Sequence, residues 1–274
     1  MKRFASSMAA LVALVCVLLG NVPTSAHTAM PAATYNCNNQ NCFANQIWNN
    51  TGSMYGGGAQ FTVVKPGFVS TDVNAYYNKY IHLKGIVAPE DVAIGVARTK
   101  GNGFPSNANY CGGSNSGIIW NYFIYITDSS GMRPTSRCFP VPAGDENHLT
   151  YITAVAAQCE PDGLYDDLQV NIRGFSSNIS ECAEAEMTDG YNFISDKMQW
   201  YGTVQDHMVW GGHWYNSDWV DGNLNLHGQT RLPDTLNQNQ PPQQYWNIAP
   251  SINLPGGDLW SCVYASGVTC NQGS

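Results

Sequence analysis

The sequence predicts an all-β protein, an antiparallel two-sheet jelly-roll sandwich held by disulfides, and three observations carry that expectation. Short runs alternate apolar and polar residues with a period of two. Gly, Pro and Asn turns separate the runs, and no apolar stripe follows the helical period of about 3.6. Eight cysteines, Cys37, Cys42, Cys111, Cys138, Cys159, Cys182, Cys262 and Cys270, follow an export-type leader, an even set in a disulfide-permissive context.

The leader is residues 1–26, where Lys2 and Arg3 precede an apolar run and small residues stand at Ser25 and Ala26. That layout is a cleaved secretory signal, with the cut expected between Ala26 and Ala33. The run is shorter than the roughly 20 apolar residues of a membrane helix, so no membrane insertion is expected. Residues 27–55 are rich in Asn and Gln without a clear period, and read as an irregular N-terminal strap. Residues 56–197 are expected to form the jelly-roll core. Ala59, Phe61 and Val63 alternate with Gln60 and Thr62, and Tyr77 to Ile86 and Val92 to Ala97 are β-rich. Ile118 to Thr127 is aromatic and β-branched nearly throughout, as a central buried strand should be. Leu149 to Ala156 and the alternating Leu168, Val170 and Ile172 follow, separated by an Asp162-Gly163 turn. Residues 198–274 are Trp- and Asn-rich and irregular, and are expected to complete or wrap the sandwich.

Sequence order suggests local bridges, Cys37 to Cys42, Cys111 to Cys138, Cys159 to Cys182 and Cys262 to Cys270, among the 105 connectivities that eight cysteines allow. Loss of Lys2 and Arg3 with the signal, which holds no acid, takes the formal charge from −8 to −10. An acidic, charge-poor chain has no electrostatic footprint for nucleic acid.

Five segments then stand in a telling order: GGAQFTVVKP (Gly57 to Pro66), VAIGVA (Val92 to Ala97), WNYFIYITD (Trp120 to Asp128), FPVPAGD (Phe139 to Asp145) and CAEAEM (Cys182 to Met187). In that order, over about half the chain, the sequence resembles the jelly-roll domain of the glutamic peptidases, of the eqolisin and neprosin types. The resemblance implies a two-sheet sandwich and a carboxylic acid paired with a glutamine or second acid, one activating water and the other stabilising the oxyanion. It places Ala93 and Phe123, both inert, at two of the catalytic positions, and leaves Glu184 and Glu186 at a third. The complete catalytic pair is thus missing, and a shifted carboxylate would make Asp91 and Glu186 the pair to test. The resemblance also implies that VAIGVA, NYFIYI and CAEAEM line one sheet, bringing Ala93, Phe123, Glu184 and Glu186 to one groove.

Aromatic residues Trp200, Tyr201, Trp210, Trp214, Tyr215 and Trp219 lie among amides and carboxylates, the chemistry of a sugar-stacking face; closing a sandwich end is the other use of such residues. Acidic turns at Asp162, Asp166 and Asp167, and at Asp218, Asp221 and Asn223, offer oxygens to calcium but lack an established loop spacing. No cofactor and no metal site is expected otherwise. Nor does a Gly-x-Ser-x-Gly elbow appear. The expectation is a secreted, extracellular, noncatalytic β-sandwich that binds a glycan or cell-surface polymer. A divergent glutamic-type endopeptidase and a structural subunit of the cell exterior are the alternatives, and self-assembly stays undecided.

Overall fold

The computed structural model describes residues 34–36, 42–65, 67–68, 74–85, 90–101, 111, 117–127, 135–161, 164, 166–183, 191–201, 203–205, 214–229, 232–239, 247–251 and 260–264. All lie within one unit, Ala32–Cys270. The strands in chain order are β1 Thr34–Asn36, β2 Cys42–Met54, β3 Gly56–Thr62, β4 Gly67–Phe68, β5 Ala75–Gly85 and β6 Asp91–Lys100. Next come β7 Ile118–Thr127, β8 Thr135–Pro140, β9 Leu149–Ala157, β10 Asp167–Arg173, β11 Asn178–Ala183 and β12 Tyr191–Tyr201. The last six are β13 Thr203–Gln205, β14 Trp214–Val220, β15 Leu226–Gly228, β16 Thr235–Asn239, β17 Asn247–Ser251 and β18 Trp260–Tyr264. No α-helix occurs among the described residues, and none of their helices is long and apolar enough to cross a membrane.

Two antiparallel sheets make the sandwich. One has seven strands in the order β16-β2-β12-β5-β6-β7-β8, and the other eight, with β11-β10-β9-β3-β14-β18-β17 in line and β15 beside β14. A small third sheet, β1-β13-β4, accompanies them. Strand alternation makes the layers. Ile81 and Leu83 of β5, Val92, Ile94 and Val96 of β6, and Tyr122, Ile124 and Ile126 of β7 are buried in one cluster with Phe61, Ile152, Val170 and Ile172 of the opposing sheet. Residues of the other parity, Tyr80, Ala93, Ala97 and Phe123, form a second cluster with Cys111 and Tyr125 against it. The seven-stranded sheet therefore carries apolar side chains on both faces, which is why Ile118 to Thr127 reads as a continuous apolar run.

The expected strap differs from the structure: Cys42–Met54 is a thirteen-residue strand inside the seven-stranded sheet. It lacks a readable pattern because its buried positions mix Gln46 and Asn45 with Trp48, so polarity and burial do not alternate together. The C-terminal region completes the sandwich through β14, β17 and β18.

Close approach dictates one glycine. A Cβ at Gly95 would meet the backbone and Cβ of Tyr80 at 2.6 and 2.5 Å and collide with the Lys79 carbonyl, so β5 and β6 pair there only with no side chain between them.

Cys111 bonds to Cys138 and Cys159 to Cys182, with Cα separations of 5.7 and 5.6 Å. The first ties the β6–β7 connection to edge strand β8; the second joins the segment after β9 to edge strand β11. The expected Cys37–Cys42 and Cys262–Cys270 bridges lie outside the described residues. A nonreducing digest read by mass spectrometry should recover the 111–138 and 159–182 peptides as linked pairs; finding either pair scrambled would contradict the fold.

Candidate functional site

Hairpin β5–β6 builds the site. The register pairs Lys84 with Asp91, Leu83 with Val92 and His82 with Ala93. His82 and Asp91 share parity with the second cluster, so both sit on the outer face of the seven-stranded sheet, away from the inter-sheet core. There the His82 Nε2 lies 2.5 Å from Asp91 Oδ1. The side chains are 16% and 33% exposed: screened enough for a strong charge-assisted bond, open enough to meet a ligand. Tyr80 packs edge-on to His82, with ring centroids 6.2 Å apart, and to Phe123 at 5.8 Å. Tyr125 lies across Ala93 on β7 and is half-buried. An imidazole held by a carboxylate in an aromatic surround is the arrangement that takes and returns a proton during acyl transfer.

Asp91 was singled out by the sequence as a shifted carboxylate; its described partner is His82. Glu184 and Glu186 lie outside the described residues. The expectation that three motif strands share one sheet is corrected in part. VAIGVA and NYFIYI are neighbours, with Gly95 opposite Phe123, but Cys182 and Ala183 close β11, at the far edge of the eight-stranded sheet. Sequence reasoning missed His82 because only the register between β5 and β6 brings it beside Asp91.

The six aromatics do not share one sheet. Trp200 and Tyr201 are on β12, in the seven-stranded sheet, whereas Trp214, Tyr215 and Trp219 are on β14, in the other. Trp210 lies outside the described residues. Trp219 packs partly buried on the main core and stacks on His227, with centroids 4.8 Å apart.

The acidic turns are engaged by protein groups. Asp167 accepts the backbone N–H groups of Cys159 and Glu160 at 2.7 and 3.3 Å. Asp218 accepts the Tyr151 hydroxyl at 2.5 Å. Burial, then this contact with Asp218, pushes the Tyr151 phenol well above its ordinary range. Asp221 accepts His227 Nε2 at 2.8 Å and the N–H groups of Asn223 and Asn225, both at 2.9 Å. These bonds, His227 first, push its carboxyl down to about 2. Among the described residues no group of three or more His, Cys, Asp or Glu is arranged to hold a metal. In an NMR titration of the side-chain carboxyls, His227→Ala should move Asp221 up towards the ordinary Asp range; an unchanged midpoint would show that the turn amides alone hold it.

No family model and no curated protein matches the chain. Among solved structures, it is similar to a scytalido-glutamic peptidase bound to a peptide-based transition-state analogue, with 7% identity, TM-score 0.48, and coverage of 82% of this chain and 98% of that one. A second structure of scytalido-glutamic peptidase, with a transition-state analogue inhibitor, aligns at 8% identity and TM-score 0.46 over the same shares of the two chains. An eqolisin-family peptidase, SCP-B, in complex with a tripeptide, aligns at 7% identity and TM-score 0.45, again over 82% and 98% of the two chains.

Proposed function

We propose that the chain is a secreted endopeptidase whose proton-transfer pair is His82 and Asp91 on the outer face of the seven-stranded sheet. The observation that supports this reading is the 2.5 Å contact between the imidazole and the carboxylate, half-screened on a sheet face that the opposing layer does not cover. A structural ion pair needs no such aromatic surround. The carboxylate orients the ring, and the ring can take a proton from an attacking group and return it to the departing amine. Hydrolysis of an acyl bond needs these two services. A peptide bond is the acyl substrate implied by the order of the sequence motifs, and the acidic chain disfavours polyanionic substrates such as nucleic acid. Secretion is supported by the leader and by two disulfides, which form and persist in oxidising compartments.

The noncatalytic glycan-binding reading calls for a continuous aromatic platform, and its six residues belong to strands of two different sheets or lie outside the described residues. The endopeptidase reading is tested by incubating the purified, signal-free chain with denatured casein from about pH 2 to about pH 9, so that the range in which an imidazole is neutral is covered, and mapping cut sites by mass spectrometry. Reproducible cleavage is the expected result. Its absence, with the chain shown to be folded by near-UV circular dichroism, overturns the reading and turns attention to polysaccharide binding.

A further inference from the structure

At the end of β5 and β6 away from His82 and Asp91, three polar side chains stand in one cross-strand row: Tyr77 pairs with Arg98, and Arg98 with Trp120. They share parity with Ile81, Val96 and Tyr122, so the row faces the opposing sheet. Tyr77 and Trp120 are buried in the inter-sheet core, and Arg98 is half-buried. Directly paired residues on one face have Cβ atoms about 4.5–5.5 Å apart, so these long side chains are immediate neighbours. Yet among the described residues the Tyr77 hydroxyl, Arg98 Nε and Trp120 Nε1, all three shielded from solvent, have no hydrogen-bond partner. Buried polar atoms in folded proteins nearly always have one, supplied by protein, water or ligand.

The row offers donors. An indole N–H and a guanidinium can only donate, and burial pushes the Tyr77 phenol up, so it keeps its proton and can donate too. Arg98 adds a positive charge. Burial lowers the proton affinity of its guanidinium and Glu146 opposes that shift, but Glu146 is itself bonded to Lys65 Nζ at 2.8 Å and gives Nε no acceptor. The ring of Phe68 packs 5.2 Å from the guanidinium carbon. On the same face of β5, the Lys79 ammonium is turned to the Thr62 carbonyl at 3.3 Å, so the charge beside the row is that of Arg98. We propose that Tyr77, Arg98 and Trp120 form a binding site for a small monocarboxylate, the guanidinium supplying the charge and the phenol and indole the flanking hydrogen bonds. A planar guanidinium matches a planar carboxylate, and the negative charge of Glu146 near Arg98 disfavours a dianion such as phosphate. The site lies on the opposite face of the sheet from His82 and Asp91, so its occupancy does not depend on hydrolysis.

Acetate is the probe, replacing chloride at constant ionic strength and about pH 7, where a carboxylate is ionised and a guanidinium charged. Two signals are read: the thermal midpoint, and the indole N–H resonance of Trp120, assigned by its loss in Trp120→Phe. In the wild type acetate should raise the midpoint and move the resonance, the latter saturably, as a ligand bound only by the folded state does. Arg98→Gln should abolish both responses. Tyr77→Phe removes only the hydroxyl. Without acetate it should be at least as stable as the wild type, because an unpaired buried group is gone, and it should bind acetate about tenfold more weakly. This variant decides the matter alone if Arg98→Gln folds poorly. The proposal fails if chloride and acetate act alike on the wild type, or if the response survives undiminished in Tyr77→Phe or Arg98→Gln. It fails equally if Tyr77→Phe is less stable without acetate, which would show that the hydroxyl already has an acceptor.

Discussion

His82→Ala and Asp91→Asn are each expected to lower kcat/KM on a fluorogenic peptide by roughly 10²- to 10⁴-fold, the usual contribution of a positioned acid–base group. Fold stability should change little. Both residues stand outside the inter-sheet core, and a partly exposed ion pair contributes about 0–1 kcal/mol. Asn at position 91 retains the size of the carboxylate and removes its charge, so the ring loses the charged acceptor that orients it. The glutamic-type alternative makes the opposite forecast: there Glu186→Gln abolishes turnover and His82→Ala is tolerated. Near-normal Glu186→Gln with inactive His82→Ala would separate the two mechanisms. Normal turnover in both dyad variants, with thermal midpoints unchanged, would remove the pair from the chemistry.

Much of the fold was legible because burial and alternation coincide in the central strands. Ile118 to Thr127 and the period-two runs at Ala59 to Val63 and Leu168 to Ile172 are apolar where they face a layer, and the structure makes strands of all three. Strand β2 escaped because Gln46 and Asn45 are buried beside Trp48, so its sequence carries no apolar period. The site was half legible. Asp91 stood out as a carboxylate next to a strand, but pairing it with His82 depends on the register between β5 and β6. Register is a property of backbone pairing between segments, to which local composition is blind. Likewise, the cluster of aromatics from Trp200 to Trp219 is compact in sequence but divided between sheets by the chain's passage from β12 to β14.

The largest loss of stability is expected from Asp145, the last residue of the 3₁₀ turn Ala143–Asp145, which is fully buried. Its carboxylate accepts the Tyr122 hydroxyl at 2.7 Å and the backbone N–H of Ser176, and Ser177 donates to it as well. It therefore clasps the turn after β8 to the β10–β11 connection and to the central strand β7. The fit leaves no room for a larger neighbour: a Cβ at Gly174 would fall on the carboxylate. Asp145→Ala removes at once the acceptor shared by the buried Tyr122 and Ser177 and by the part-buried Ser176 N–H, and about 3 kcal/mol of destabilisation follows from a charged acceptor lost without replacement. The same carboxylate gives the fold an acid-side dependence. Burial alone would raise its proton affinity, but the bonds from Ser177, Ser176 and Tyr122 outweigh burial and hold it below the ordinary value of 3.8. Between the depressed folded value and the unfolded one, the unfolded chain binds the extra proton. The contribution of Asp145 is thus complete above the unfolded value and is lost as pH falls through the folded one. Urea midpoints measured from pH 2 to 7 should fall on the acid side in the wild type, and more shallowly in Asp145→Ala, which starts lower at pH 7. A variant that loses less than about 1 kcal/mol at pH 7, or whose pH slope parallels the wild type, would show that Asp145 does not anchor these loops. A carboxylate held ionised by several donors thus keeps the turn after β8 tied to the β10–β11 connection over the range in which ordinary carboxylates begin to protonate.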